Sequence, residues 1–120
     1  MSQKVFILDD DENACQLAEM VLKKAGYEVS TLTKAIGASN AIRNFGPDLL
    51  LLDVMMPALS GDNLVEIINK TVKPRPKIIF YSNKSAQDLR ELVEQTGVDG
   101  YVCKVDGTGT LVKTVRDLLG

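Results

Sequence analysis

The sequence contains no histidine and only two cysteines, Cys15 and Cys103. Without histidine the commonest general base is missing, and a zinc site of cysteine and histidine ligands cannot be assembled. Two cysteines are also too few for a disulfide framework. Because Cys15 falls in a helical pattern and Cys103 in a strand pattern, we interpret each as a small, partly buried apolar residue.

Long apolar runs and an excess of basic residues are absent too. No stretch approaches the ~20 apolar residues of a membrane-spanning helix, and the N-terminus runs into a predicted strand rather than a signal peptide. We therefore expect a cytoplasmic protein without membrane contact. The net charge of −2 argues against direct nucleic-acid binding, since phosphate contacts need clustered basic residues.

Strand and helix patterns alternate five times along the 120 residues, a length that suits one domain. Such βα alternation predicts a parallel sheet with helices on both faces. A weaker helix is expected at 34–45, and Ser85-x-x-Asp88 resembles a capping box at the start of the fourth helix. The stretch 106–109 is predicted to be a glycine-rich loop. The predicted strands are 4–9, 27–32, 48–53, 77–82 and 100–104.

Asp53 is the most informative residue of the chain. It ends a run of four leucines between Pro47 and Pro57, which is typical of a strand buried on both faces. A carboxylate at this point would lie at the carboxyl end of a parallel strand, where α/β folds bind their ligands. The other predicted strand ends are also polar: Asp9, Asp10 and Asp11 follow the first, Ser82 and Asn83 the fourth, and Lys104 the fifth.

The acidic residues at this rim need a counter-charge. Two like charges ~4 Å apart repel by about 4 kcal/mol at an effective dielectric near 20. Lys104 supplies one positive charge, and a divalent cation with oxygen ligands, usually Mg²⁺ where phosphate is involved, would supply more. A carboxylate beside a metal and a lysine is a plausible phosphoryl acceptor. The simpler alternative for Asp10 or Asp11 is a cap on the first helix.

This ordered set resembles the receiver domain of bacterial two-component response regulators. The resemblance runs from Val5 to Leu119, so residues 1–120 are expected to form one receiver domain without an output domain. It implies a flavodoxin-like, doubly wound (βα)₅ three-layer sandwich with strand order 2-1-3-4-5. The motifs that carry it are ILDDDEN (7–13), PDLLLLDVMMPALSG (47–61), IIFYS (78–82) and GYVCK (100–104).

The resemblance also implies the chemistry of the site. Asp53 would accept a phosphoryl group from a sensor histidine kinase or a phosphotransfer protein. Asp9, Asp10 and Asp53 would hold Mg²⁺ with the backbone carbonyl of Met55. The domain would be a switch rather than an enzyme, with slow self-dephosphorylation at most.

The switching residues follow from the same resemblance. Ser82 and Lys104 would contact the phosphoryl group, and Tyr101 would be the switch aromatic residue. The change would reach an unknown output domain or partner protein, and the face formed by the fourth helix, fifth strand and fifth helix would suit a homodimer.

Two positions depart from the family and are candidate modulators. Val105 follows Lys104, where receivers usually have a proline after a cis peptide bond, and Asn83 replaces a small residue after the switch hydroxyl. A cis bond before valine costs ~3–4 kcal/mol. We therefore expect a trans bond, a mobile 105–109 loop and a Lys104 side chain that still reaches the pocket.

Three other functions share part of this pattern. A haloacid dehalogenase-type phosphohydrolase would carry an acid at the position of Met55, and a flavodoxin-like cofactor binder would need a phosphate loop where this chain has DDDENA. The remaining alternative is a pseudo-receiver, a protein-protein interaction module that works without phosphorylation. Val105 and Asn83 leave it open.

Overall fold

Five parallel strands form a single sheet in the computed structural model, which describes residues 2–55 and 61–120. Only the backbone of residues 61 and 62 is described, and the motif positions 56–60, with Pro57 and Ser60, lie outside the described residues. The strands are β1 (Lys4–Leu8), β2 (Glu28–Leu32), β3 (Leu49–Leu52), β4 (Lys77–Ser82) and β5 (Gly100–Cys103). Their order across the sheet is β2-β1-β3-β4-β5, which confirms the predicted topology.

Helices cover both faces of the sheet. Each begins after a strand, and the first four return the chain to the end of the sheet where the next parallel strand begins. Ser85 caps the fourth helix as predicted, since its Oγ accepts the Asp88 backbone N–H at 3.1 Å. The helices are α1 (Glu12–Lys24), α2 (Ala38–Phe45), α3 (Gly61–Thr71), α4 (Ala86–Thr96) and α5 (Thr108–Leu119).

Two apolar cores lie on opposite faces of the sheet. Alternate residues of a strand point to opposite faces, so Val5 and Ile7 pack with α1 and α5 whereas Phe6 and Leu8 pack with α2, α3 and α4. All four leucines of β3 are buried, because that strand lies in the middle of the sheet between two layers of helices. This arrangement is the predicted three-layer sandwich.

The second helix is shorter than the sequence predicts. It begins at Ala38 rather than at residue 34, because Gly37 adopts a left-handed conformation (φ 79°) that turns the chain just before the first helical turn. Ile36, expected on the apolar face of this helix, is 87% exposed. The buried residues of the helix are Ala38 and Ile42, both of them on the predicted face.

The segment after Lys104 is not the loop that the sequence predicts. Lys104–Asp106 forms a 3₁₀ turn, and α5 begins at Thr108, inside the glycine-rich stretch. Gly107 (φ 90°) makes the turn into the helix, and the buried Leu111 and Val115 hold the helix against the sheet despite the unfavourable glycine in its first turn. The Lys104–Val105 peptide bond is trans, as predicted.

The two cysteines lie in the apolar cores, as small apolar residues do. Cys15 and Cys103 are both buried, and they belong to the two different cores, on opposite faces of the sheet. Among the described residues, no helix has both the length and the apolar character needed to cross a membrane.

Candidate functional site

Strand pairing brings Asp9 and Asp53 side by side at the carboxyl rim of the sheet. Leu8 pairs with Leu52 in adjacent parallel strands, so the residue that follows each leucine leaves the sheet at the same level. The Asp53 backbone N–H donates to the Leu8 carbonyl at 3.0 Å and extends the ladder by one bond. The site is thus fixed by two neighbouring inner strands of the sheet.

Three carboxylates converge at this rim. One oxygen from each of Asp9, Asp10 and Asp53 lies within 4.8 Å of the other two. Asp9 is 1% exposed and Asp53 is 5% exposed, whereas Asp10 is open to solvent. Charged carboxylates are rarely buried unless they are paired or hold a metal ion, so this cluster calls for a positive partner.

Lys104 supplies one such partner from the end of β5. Its Nζ lies 2.7 Å from Asp9 Oδ2 and 3.7 Å from Asp53 Oδ2, and its side chain is only 11% exposed. Burial lowers the pKa of the ammonium, but the contact with Asp9 and the charge of Asp53 outweigh burial, so the net pKa is raised. Lys104 therefore remains charged, and the prediction that it reaches the pocket is confirmed.

One oxygen of Asp9 keeps unused bonding capacity. Oδ1 accepts the Asp11 backbone N–H at 3.0 Å, but the buried Oδ2 makes no hydrogen bond. The Lys104 ammonium lies 2.7 Å from this oxygen and forms an ion pair with it. An anionic oxygen of this kind is suited to bind a metal cation.

The Asp53 carboxylate is held in one orientation. Its Oδ1 accepts the Met55 backbone N–H at 3.0 Å, while Oδ2 lies on the side of Lys104. Burial raises the pKa of Asp53 to about 6, and the negative charge of Asp9 adds to the rise, whereas the Met55 N–H and Lys104 oppose it. At neutral pH this carboxyl is therefore mostly ionised.

The other predicted site residues lie around this centre. Ser82 is fully buried at the end of β4, next to β3 in the sheet, and its Oγ accepts the Lys84 backbone N–H at 3.3 Å. Tyr101 is partly buried against the core on the α2–α4 side. Asn83 and Val105 are exposed, Val105 by 83%.

The three aspartates at 9–11 have different roles. Asp11, not Asp10, caps α1, because its Oδ1 accepts the backbone N–H groups of Asn13 and Ala14 at 3.0 and 3.2 Å. The capping alternative is therefore correct for Asp11, while the Asp10 carboxylate lies within the acidic cluster.

Sequence reasoning missed Tyr81. Its ring centroid lies 5.6 Å from Lys104 Nζ, and the side chain is buried in the core under α1 and α5. The signal in the sequence is an aromatic residue next to the predicted strand-end Ser82. An aromatic residue on a buried strand cannot be distinguished from an ordinary core residue by sequence.

A family model agrees with the fold. The model of the response regulator receiver domain matches residues 5–116. Nothing in the comparisons favours the pseudo-receiver alternative.

Individual relatives and solved structures are similar over nearly the whole chain. The DNA-binding response regulator MtrA of Mycolicibacterium smegmatis is 28% identical over 116 residues, which are 97% of this chain and 50% of MtrA. A response regulator receiver domain from Bermanella marisrubri superposes with a TM-score of 0.88 at 25% identity, covering both chains completely. The response regulator DrrB, a Thermotoga maritima OmpR/PhoB homologue, superposes with a TM-score of 0.84 at 27% identity over 99% of this chain and 53% of DrrB.

The MtrA relatives are longer than the chain that matches them. The chain spans about half the length of the MtrA relatives that it matches. The description "DNA-binding" belongs to those proteins, so the absence of direct nucleic-acid contact by this chain stays a prediction.

Proposed function

The chain belongs to the response regulator receiver domain family of two-component systems, and on this premise we propose that it accepts a phosphoryl group on Asp53 from a histidine kinase or phosphotransfer protein. One observation carries the proposal. Three carboxylates, of Asp9, Asp10 and Asp53, meet at the carboxyl rim of the sheet, where Lys104 Nζ lies within 4 Å of two of them. This charge pattern suits a phosphoryl group better than an uncharged ligand.

Asp53 is the nucleophile of the proposed transfer. Met55 N–H engages Oδ1, which leaves Oδ2, on the Lys104 side, to attack the phosphorus atom of a phosphohistidine. An oxygen–phosphorus bond forms, the phosphorus–nitrogen bond breaks, and the departing imidazole keeps the electron pair and takes a proton from solvent. Only the ionised carboxyl can attack, so a pKa of about 6 leaves the nucleophile ready at neutral pH.

Lys104 and Ser82 are the proposed phosphoryl contacts. The ammonium already lies beside the attacking carboxylate, so it can follow the negative charge onto the phosphoryl oxygens without a large movement. Charge-assisted hydrogen bonds of this type are about twice as strong as neutral ones. The Ser82 hydroxyl accepts a backbone N–H and still has its own proton to donate to a phosphoryl oxygen.

The residues of the rim fit Mg²⁺. The ion takes oxygen ligands and is usually bound by one or two carboxylates together with phosphate. Asp9, Asp10 and Asp53 would hold it, and the Oδ2 of Asp9, buried and without a hydrogen bond, has lone pairs to give. Bound Mg²⁺ would neutralise charge on the carboxylates and on the transferred phosphoryl oxygens. The Met55 carbonyl remains a predicted further ligand.

Phosphorylation would act as a switch through charge. It adds roughly −1.5 to −2 charges at Asp53, which would draw Lys104 and Ser82 inward. Tyr101 is only partly buried beside α4, so its ring has room to change packing when the strand end moves. We propose that α4, β5 and α5 carry this change to a partner or to a second copy. The domain turns over no external substrate in this scheme.

The proposal is tested by phosphorylation in solution. Incubated with Mg²⁺ and phosphoramidate, a small phosphodonor, the chain should gain one phosphoryl group in intact-mass spectra. The bond should be cleaved by hydroxylamine, as acyl phosphates are, and its formation should stop when the metal is chelated. A chain that gains no mass from phosphoramidate or from a panel of phosphorylated kinases would contradict the proposal.

A separate prediction concerns the cation. Mg²⁺ should raise the melting temperature because it binds the folded acidic cluster and not the unfolded chain. Asp10→Asn should remove most of this gain. Asp11→Asn is the matched control, since it removes one charge from the same loop but keeps a side chain that caps helices well. Equal Mg²⁺ responses of the two variants in thermal melts would argue against Asp10 as a ligand.

A further inference from the structure

We propose that Tyr81 is a positioning residue that holds the Lys104 ammonium over the acidic cluster. The inference rests on the proposed function, because it assigns Tyr81 a part in placing the group that contacts the phosphoryl oxygens. It adds to the site a residue that lies one strand away from Lys104 and whose side chain belongs to the core.

The geometry is that of a cation–π contact. Lys104 Nζ lies 5.6 Å from the centroid of the Tyr81 ring, inside the ~6 Å range of such contacts. Tyr81 is 5% exposed and the Lys104 side chain is 11% exposed, so little water competes for the ammonium. The same ammonium contacts Asp9 and Asp53, so the ring is a third neighbour of the charged group.

The ring is itself held firmly. Tyr81 is the fifth residue of the six in β4 and pairs with Val102 of β5. Its side chain belongs to the core that includes Cys15 and Leu111, under α1 and α5. A ring fixed by strand and core can therefore serve as a reference point for a flexible lysine.

Lys104 needs such a reference because the segment after it offers little. The chain continues through a trans peptide bond into a short 3₁₀ turn, and Val105 is 83% exposed. The Val105 side chain thus has almost no packing with which to fix the end of β5. The four-carbon stem of a lysine costs rotamer entropy to hold in one place, and contacts made by its own ammonium must provide that hold.

An aromatic ring suits this task better than a third buried carboxylate. The negative face of the ring attracts the ammonium, but the ring carries no net charge. Burial raises the pKa of Tyr81, so the phenol stays neutral at physiological pH. The ring can therefore guide Lys104 without competing strongly for it when a phosphoryl group arrives, and without adding to the repulsion among the carboxylates.

A double-mutant cycle tests the coupling. Tyr81→Leu should slow phosphorylation of Asp53 by phosphoramidate about three- to tenfold, whereas Tyr81→Phe, which keeps the ring, should remain within about twofold of the unmodified chain. In a Lys104→Met background, Tyr81→Leu should have no further effect. An equal slowing by Tyr81→Leu in both backgrounds would mean that Tyr81 acts only through general packing, and would overturn the proposal.

Nuclear magnetic resonance tests the contact without phosphorylation. The ε-methylene protons of Lys104 should resonate upfield of the other lysines because the Tyr81 ring shields them. Tyr81→Phe should keep this shift and Tyr81→Leu, or Tyr81→Met if the leucine variant does not fold, should abolish it. Equal Lys104 shifts with and without the ring overturn the positioning role. A ring-dependent shift in a chain that accepts no phosphoryl group would support the contact and reject the proposed function alone.

Discussion

Replacing Asp53 with asparagine should abolish phosphoryl acceptance. Asparagine keeps the shape of the side chain, and its oxygen can still accept the Met55 N–H that Asp53 Oδ1 accepts at 3.0 Å. It has no anionic oxygen to attack phosphorus, so the nucleophile is lost while the local structure is retained. With Mg²⁺ and phosphoramidate, intact-mass spectra should show one phosphoryl group on the unmodified chain and none on Asp53→Asn.

A matched control isolates this effect from a simple loss of charge. Asp106→Asn makes the same chemical change at an exposed residue two positions after Lys104, and it should leave phosphoryl acceptance unchanged. Labelling of Asp53→Asn to the same extent as the unmodified chain would place the acceptor at another residue, which peptide mapping after borohydride trapping would then identify.

The strands and the acidic rim could be predicted because both follow from local sequence. Short apolar segments separated by helical periodicity define parallel strands, and the parallel arrangement places every strand end at one rim. Asp9, Asp53 and Ser82 therefore lie within one residue of where the pattern put them. The strand order was not contained in the periodicity, and it came from the resemblance to receiver domains.

The features that could not be predicted depend on tertiary contacts or on single dihedral angles. Gly37 shortens α2 because it turns left-handed, yet an identical glycine could have continued a helix at modest cost. Gly107 and Gly109 suggested a loop, but the burial of Leu111 and Val115 stabilises α5 through that stretch. The contact between Tyr81 and Lys104 joins two strands, and no spacing along the chain encodes it.

The contribution of Asp53 to the unfolding free energy of the metal-free protein should fall as pH rises from about 4 to about 6. Burial raises the pKa of this carboxyl from 3.8 to about 6 in the folded chain. In that window the folded protein holds a proton that the unfolded chain has released, so raising the pH favours unfolding. At about 1.4 kcal/mol for each pKa unit, the total is about 3 kcal/mol.

Asp53→Asn provides the reference that isolates this contribution, because every other titrating group is common to both proteins. Without metal, the variant should gain on the unmodified chain by about 2 kcal/mol in unfolding free energy between pH 4 and pH 7. Any loss of the Lys104 contact shifts the variant by an amount that hardly varies over this range, since lysine stays charged. Urea titrations in chelator at several pH values measure the difference.

Asp106→Asn should show no such trend. Mg²⁺ should reduce the difference in unfolding free energy between Asp53→Asn and the unmodified chain at pH 7, because it binds the ionised site of the unmodified chain. A difference that stays constant from pH 4 to pH 7 would mean that Asp53 ionises in the folded protein as easily as in the unfolded chain, and that burial at the rim does not raise its pKa.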